Sequence, residues 1–75
     1  MGSLGGRRIG WGILGTGRIA REFAAGLRRL PEAELVAVGS REEARARRFA
    51  ADTGASRGWG SYGELVADPG VDVVY

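Results

Sequence analysis

Ile9-Gly10-Trp11-Gly12-Ile13-Leu14-Gly15-Thr16-Gly17-Arg18-Ile19-Ala20 reads as a strand, a glycine turn and the opening of a helix. The first six residues interleave β-favouring Ile, Trp and Leu with Gly, which predicts a buried strand bounded by Gly15. The next six form a G-x-G-x-x-A pattern. By itself such a pattern is weak, but here strand, turn, helix and following strand fall within about 30 residues. Gly15 permits the tight turn, Gly17 lets backbone approach a pyrophosphate, and Ala20 allows close packing of helix on strand. The helix N-terminus then offers free N–H groups and a positive dipole to phosphate.

Outward from the turn, Ile19, Phe23, Leu27 and Leu30 recur at helical spacing, predicting an amphipathic helix that stops before Pro31. Gly26 falls in that stripe, where a missing side chain permits close helix–sheet contact at roughly 1 kcal/mol of propensity. Leu35-Val36-Ala37-Val38 is a continuous apolar run, a second buried strand ended by Gly39-Ser40. A second helix is predicted from about Arg41 to Thr53. Ser40 and Glu43 make its capping box and Gly54 its C-terminal cap, with an inner face of Ala46, Phe49, Ala50 and Thr53. Glu43 to Arg47 has the favourable i, i+4 order. Arg57-Gly58-Trp59-Gly60 is a short strand. Ser61 and Glu64 cap a short third helix that ends at Asp68-Pro69-Gly70, and Val71 onward begins another strand.

Alternating strands and helices of these lengths predict an α/β fold with a parallel sheet, in the order β-α-β-α-β-α-β. Continuous apolar strands support it, because parallel strands are covered on both faces. The pattern is the N-terminal part of a doubly wound Rossmann sheet, expected to be truncated in its fourth strand at Tyr75. Residues 1–8 read as a flexible tail and residues 9–75 as a partial NAD(P)-binding domain.

Composition excludes several chemistries. The 75 residues contain 14 Gly, no Cys and no His, and all 11 basic residues are Arg. Disulfide scaffolds, Cys/His zinc sites and serine–histidine or cysteine–histidine nucleophiles therefore have no members in this chain. No metal-ligand or paired-carboxylate spacing is present. A net charge of +2 and the sparse basic run at Arg7 and Arg8 do not suggest nucleic acid. No apolar run is long enough for a membrane span. The expected location is the cytoplasm.

The end of the second strand chooses the cofactor. A fold reading NAD places Asp or Glu there to hold the ribose 2′-hydroxyl. Here the position is Ser40 followed by Arg41, with no carboxylate until Glu42, taken as one turn into the helix. A hydroxyl beside an Arg suits a 2′-phosphate, so NADP is expected over NAD, although Ser40 also explains itself as an N-cap. Arg18 and Arg21 oppose the helix dipole unless a diphosphate lies nearby; as surface residues they are simply solvated. Trp11 and Trp59 read as packing residues. Tyr62 reads equally as lining an adenine site or covering a helix end. Asp52, Asp68 and Asp72 read as solvated or capping.

Residues 9–20, Leu35-Val36-Ala37-Val38-Gly39-Ser40-Arg41, Ser61-Tyr62-Gly63-Glu64-Leu65 and Asp68 to Tyr75 together resemble the N-terminal part of the Gfo/Idh/MocA oxidoreductase family. The Trp before the turn and the Ser-Arg pair are most similar to its branch of trans-1,2-dihydrobenzene-1,2-diol and NADP-dependent D-xylose dehydrogenases. The resemblance implies hydride transfer between a nicotinamide cofactor and a sugar or related diol. It implies that Gly15, Thr16, Gly17, Arg18 and Ile19 contact the diphosphate, and Ser40 with Arg41 the 2′-phosphate. It also implies a catalytic C-terminal domain that mediates homo-oligomerisation and is absent from this chain. The family's catalytic Lys motif would follow Tyr75, so no residue here is named catalytic. A non-enzymatic dinucleotide-binding regulator or sensor, or an inert fragment, is the alternative.

Overall fold

The computed structural model describes residues 8–75; of the tail expected over residues 1–8, residues 1–7 lie outside the described residues. Seven elements alternate: β1 (Ile9–Leu14), α1 (Arg18–Leu27), β2 (Ala33–Gly39), α2 (Glu43–Thr53), β3 (Arg57–Trp59), α3 (Tyr62–Ala67) and β4 (Val73–Val74). The four strands form one parallel sheet in the order β3-β2-β1-β4. This is the expected Rossmann arrangement. Because β1 lies between β2 and β4, the chain order reverses at its C-terminal end, where open α/β sheets place their ligands.

The core is split by the sheet. On one side Ile13, Leu35 and Val38 meet Ala20, Ala24 and Leu27 of α1 and Phe49 of α2. On the other, Val36 and Ala37 meet Leu65 of α3. The strand register explains why Val36 and Ala37 share a cluster: Trp11 pairs with Leu35 but Gly12 pairs with Ala37, so β2 carries one extra residue there. Trp11 packs edge-on against Phe23, with centroids 5.4 Å apart, and Phe23 stacks on Tyr75.

Helix α1 departs from the predicted stripe. Its buried residues are Ala20, Ala24 and Leu27, while Ile19 and Leu30 are exposed. The helix stops at Leu27 because its last turn tightens: the N–H groups of Arg29 and Leu30 donate to the carbonyls of Gly26 and Leu27. Gly26 is exposed, and a Cβ there would meet nothing within 4 Å, so it does not serve close packing. Helix α2 buries Ala46, Phe49, Ala50 and Thr53 as predicted, and Gly54 ends it in the left-handed region at φ 86°. Glu43 pairs with Arg47. The Ser61 hydroxyl accepts from the Glu64 N–H at 3.1 Å, the predicted cap of α3. The last strand begins at Val73 rather than Val71.

Asp68 is not a solvated residue. It is buried and accepts from Arg57 Nε and Nη2 at 2.6 and 2.9 Å, from Trp59 Nε1 at 3.0 Å and from the Gly70 N–H at 2.8 Å. The Arg57 hydrogen bond chiefly holds its carboxyl at about 2, below the ordinary 3.8, against a burial that pushes the other way. Nearby, Asp72 Oδ2 accepts from the Gly10 N–H at 2.7 Å, fastening the β4 entry to β1.

A carboxyl whose folded value lies below its unfolded value stabilises the fold most above the unfolded value, and that contribution is lost as pH falls through the folded one. For Asp68 the loss runs from near pH 4 to near pH 2 and amounts to at most about 2 kcal/mol. Asp68→Asn is expected to remove about that much stability at pH 7 and to flatten the acid limb over that window, as read by urea denaturation across pH.

Candidate functional site at the C-terminal end of the sheet

The glycine turn begins where β1 ends. Gly15 adopts φ 107°, a conformation that side chains rarely tolerate, and its N–H donates to the Gly39 carbonyl at 2.8 Å. This continues the β1–β2 ladder one residue past Leu14 before the chain swings into α1. Gly17 is the N-cap residue of α1, with extended backbone and no side-chain cap. The first helical bond runs from the Arg21 N–H to the Gly17 carbonyl, so the N–H groups of Arg18, Ile19 and Ala20 precede any intrahelical acceptor. A Cβ placed on Gly15 or Gly17 would meet nothing within 4 Å. The turn thus presents backbone donors to open space, which fits a diphosphate.

The side chains around the turn divide. Ala20 is buried against the sheet, as its position in the motif requires, whereas Ile19 is 63% exposed and stands outside the core. Arg18 is solvent-exposed, with its Nε 3.5 Å from Glu22. Arg21 is turned away from the turn. Its guanidinium lies 4.9 Å over the Phe49 ring and 3.7 Å from Asp52, tying α1 to α2.

Past β2, the Ser40 N–H donates to the Trp59 carbonyl at 3.0 Å. Its hydroxyl accepts from the Glu42 N–H at 3.3 Å. Ser40 is therefore not the N-cap of α2, as the S-x-x-E spacing suggests; Glu42 is, and it makes no side-chain cap bond. Ser40 instead closes a local turn two residues ahead of the cap, a competing use of its hydroxyl. This displacement carries Glu42 to the rim of the site instead of a turn into the helix.

Leu14, Gly15, Ser40, Arg41, Glu42, Arg45 and Tyr62 line one open pocket of about 550 Å³. It brings Gly15 of the turn and the Ser40-Arg41 pair to a common cavity, with Tyr62 at the start of α3 on its wall, while Thr16, Gly17, Arg18 and Ile19 do not line it. Arg45 is an addition that the sequence reading did not single out, although Arg41 and Arg45 stand at i, i+4 spacing, and Glu42, read there only as a carboxylate one turn into the helix, joins the lining. Arg45 Nη2 lies 3.5 Å from Glu42 Oε1. Two guanidiniums against one carboxylate leave the lining net positive, which fits a phosphate. Among the described residues no group of three or more His, Cys, Asp or Glu is placed to hold a metal, and no helix is long and apolar enough to cross a membrane.

Known proteins share this fold and sequence pattern. The sequence profile of the Gfo/Idh/MocA family, an oxidoreductase family with an NAD-binding Rossmann fold, matches residues 9–75. Trans-1,2-dihydrobenzene-1,2-diol dehydrogenase of Danio rerio is 46% identical over 67 residues, covering 87% of this chain and 20% of that protein. The crystal structure of an NAD binding oxidoreductase from Klebsiella pneumoniae superposes with a TM-score of 0.82 at 37% identity, over 89% of this chain and 20% of that one. A 3-ketoreductase from Actinomadura kijaniata, solved in complex with TDP-benzene and NADP, gives 0.82 at 33% identity, over 92% and 22%. The chain thus spans about a fifth of the length of these relatives.

The two turn glycines are expected to behave differently when substituted. Gly15→Ala, forced to positive φ, should lower stability by about 1–3 kcal/mol. Gly17→Ala, in extended backbone with free space ahead but a poorer helix N-cap, should cost less, no more than about 1 kcal/mol. Equilibrium denaturation of both variants checks the contrast.

Proposed function

The chain belongs to the Gfo/Idh/MocA oxidoreductase family, and on that premise we propose that it forms the cofactor-binding part of a dehydrogenase that takes NADP in preference to NAD. Its substrate is a sugar or a related diol, a class supported by the diol dehydrogenase and ketoreductase among its relatives. When bound, the nicotinamide ring supplies or accepts the hydride. The residues of this chain bind and orient. Gly15, Thr16, Gly17, Arg18 and Ile19 receive the diphosphate, through backbone N–H groups at the α1 N-terminus and the open space before Gly17. Ser40 and Arg41 receive the 2′-phosphate, the hydroxyl donating one hydrogen bond and the guanidinium a charge-assisted pair.

The single observation that carries the preference is the shared pocket of Gly15, Ser40, Arg41 and Arg45. It sets two cations against the single carboxylate of Glu42 beside the strand end where an NAD-selective fold sets a carboxylate alone.

Titration of the full-length protein with NADPH and NADH, followed by tryptophan fluorescence, tests the proposal. NADPH is expected to bind more tightly. Arg41→Ala should weaken NADPH by roughly tenfold or more and NADH by no more than about twofold, since a hydrogen bond to a charged group contributes about 1.5–3 kcal/mol. Gly17→Val should weaken both alike while leaving the fold intact. Binding of neither cofactor would contradict the proposal, and tighter NADH binding would contradict the preference alone.

A further inference from the structure

Glu42 is the N-cap residue of α2, with backbone φ −114° and ψ 117°, yet its side chain caps nothing. A carboxylate near a helix N-terminus gains some tenths of a kcal/mol from the dipole, but its contacts lie in the pocket. It lines the same cavity as Ser40, Arg41 and Arg45. Its carboxylate stands 3.5 Å from Arg45 Nη2, and its own N–H donates to the Ser40 hydroxyl. One residue therefore engages two of the polar groups gathered at the end of β2. The neighbouring Glu43 is committed elsewhere, to Arg47 on the next turn.

An ionised carboxylate only accepts hydrogen bonds, so it meets the two cofactors differently. A ribose 2′-hydroxyl can donate to it. A 2′-phosphate is repelled by it and must also draw Arg45 away from it before that guanidinium can pair with phosphate oxygens. We infer that Glu42 is the residue that tempers cofactor choice at this site. It retains NAD by accepting the 2′-hydroxyl and restrains NADP by occupying Arg45. The inference rests on the reading of Ser40 and Arg41 as the 2′-phosphate site.

The test measures NADPH and NADH dissociation constants for the full-length wild type, Glu42→Gln, Arg45→Ala and Arg41→Ala. Glu42 is exposed and contributes no cap bond, so Glu42→Gln should fold normally, which thermal unfolding confirms. Glu42→Gln is expected to tighten NADPH by about threefold and weaken NADH by about threefold, the size of a solvent-exposed charge interaction. Arg45→Ala should weaken NADPH and leave NADH unchanged or tighter, because the carboxylate is released. A Glu42→Gln ratio of affinities within about twofold of wild type overturns the inference. Arg41→Ala separates the two levels. If it weakens NADPH while Glu42→Gln leaves the ratio unchanged, only the role of Glu42 fails; if it leaves NADPH untouched, the phosphate site itself fails.

Discussion

The 2.8 Å hydrogen bond from the Gly15 N–H to the Gly39 carbonyl ties together the C-terminal ends of the two central strands, and the site depends on it. Gly15 makes that bond in a positive-φ conformation, so the residue that closes the ladder also starts the turn into α1. Gly39 is directly followed by Ser40 and Arg41. The bond therefore fixes how far the turn's backbone donors stand from the hydroxyl and guanidiniums of the neighbouring strand end. Ser40 is held in turn by its own N–H on the Trp59 carbonyl of β3. Three parallel strands thus align their ends, and the pocket lies beside the ends of β1 and β2.

The opposite end of the sheet is built for holding. There the buried Asp68 carboxylate gathers Arg57 and Trp59 of β3 with the Gly70 N–H. Asp72 accepts from the Gly10 N–H, and its own N–H donates back to the Gly10 carbonyl. Gly10 is hemmed in there, since a Cβ would fall 1.9 Å from the Gly70 carbonyl oxygen. The Asp68 carboxylate and the Gly10 backbone at this end are satisfied within the protein, whereas the N–H groups of the first turn of α1 at the C-terminal end have no intrahelical acceptor. The proposed division, with ligand binding at one end and fold stability at the other, rests on that contrast.

What the sequence makes legible is what is local. The glycine turn, the Gly54 cap, the Ser61 capping box and the inner face of α2 each depend on residues within a few positions, and each stands where the spacing puts it. The apolar stripe of α1 does not. Side-chain hydrophobicity favours Ile19, but the approach of helix to sheet is set by the turn, which brings the small Ala20 and Ala24 inward and leaves Ile19 exposed. The reading of Ser40 as the α2 cap fails for a physical reason: its hydroxyl accepts from the N–H two residues on, closing a turn that the spacing does not reveal. That choice moves Glu42 to the cap and Arg45 to the pocket, where spacing alone does not place them. The Asp72–Gly10 bond joins residues 62 positions apart, and the Asp68 cluster joins β3 to the loop after α3 through side chains whose meeting depends on how the intervening helix packs, so no spacing pattern announces either.

The central claim, that the dinucleotide is gripped where the ends of β1 and β2 meet, is tested most directly by hydrogen–deuterium exchange of the protein with and without NADP. The account predicts slowed exchange over the glycine turn, the first turn of α1 and the Ser40–Arg45 segment. It predicts no change around Arg57, Asp68 and Gly70. Protection confined to that opposite end, or none at the turn under saturating cofactor, would contradict it.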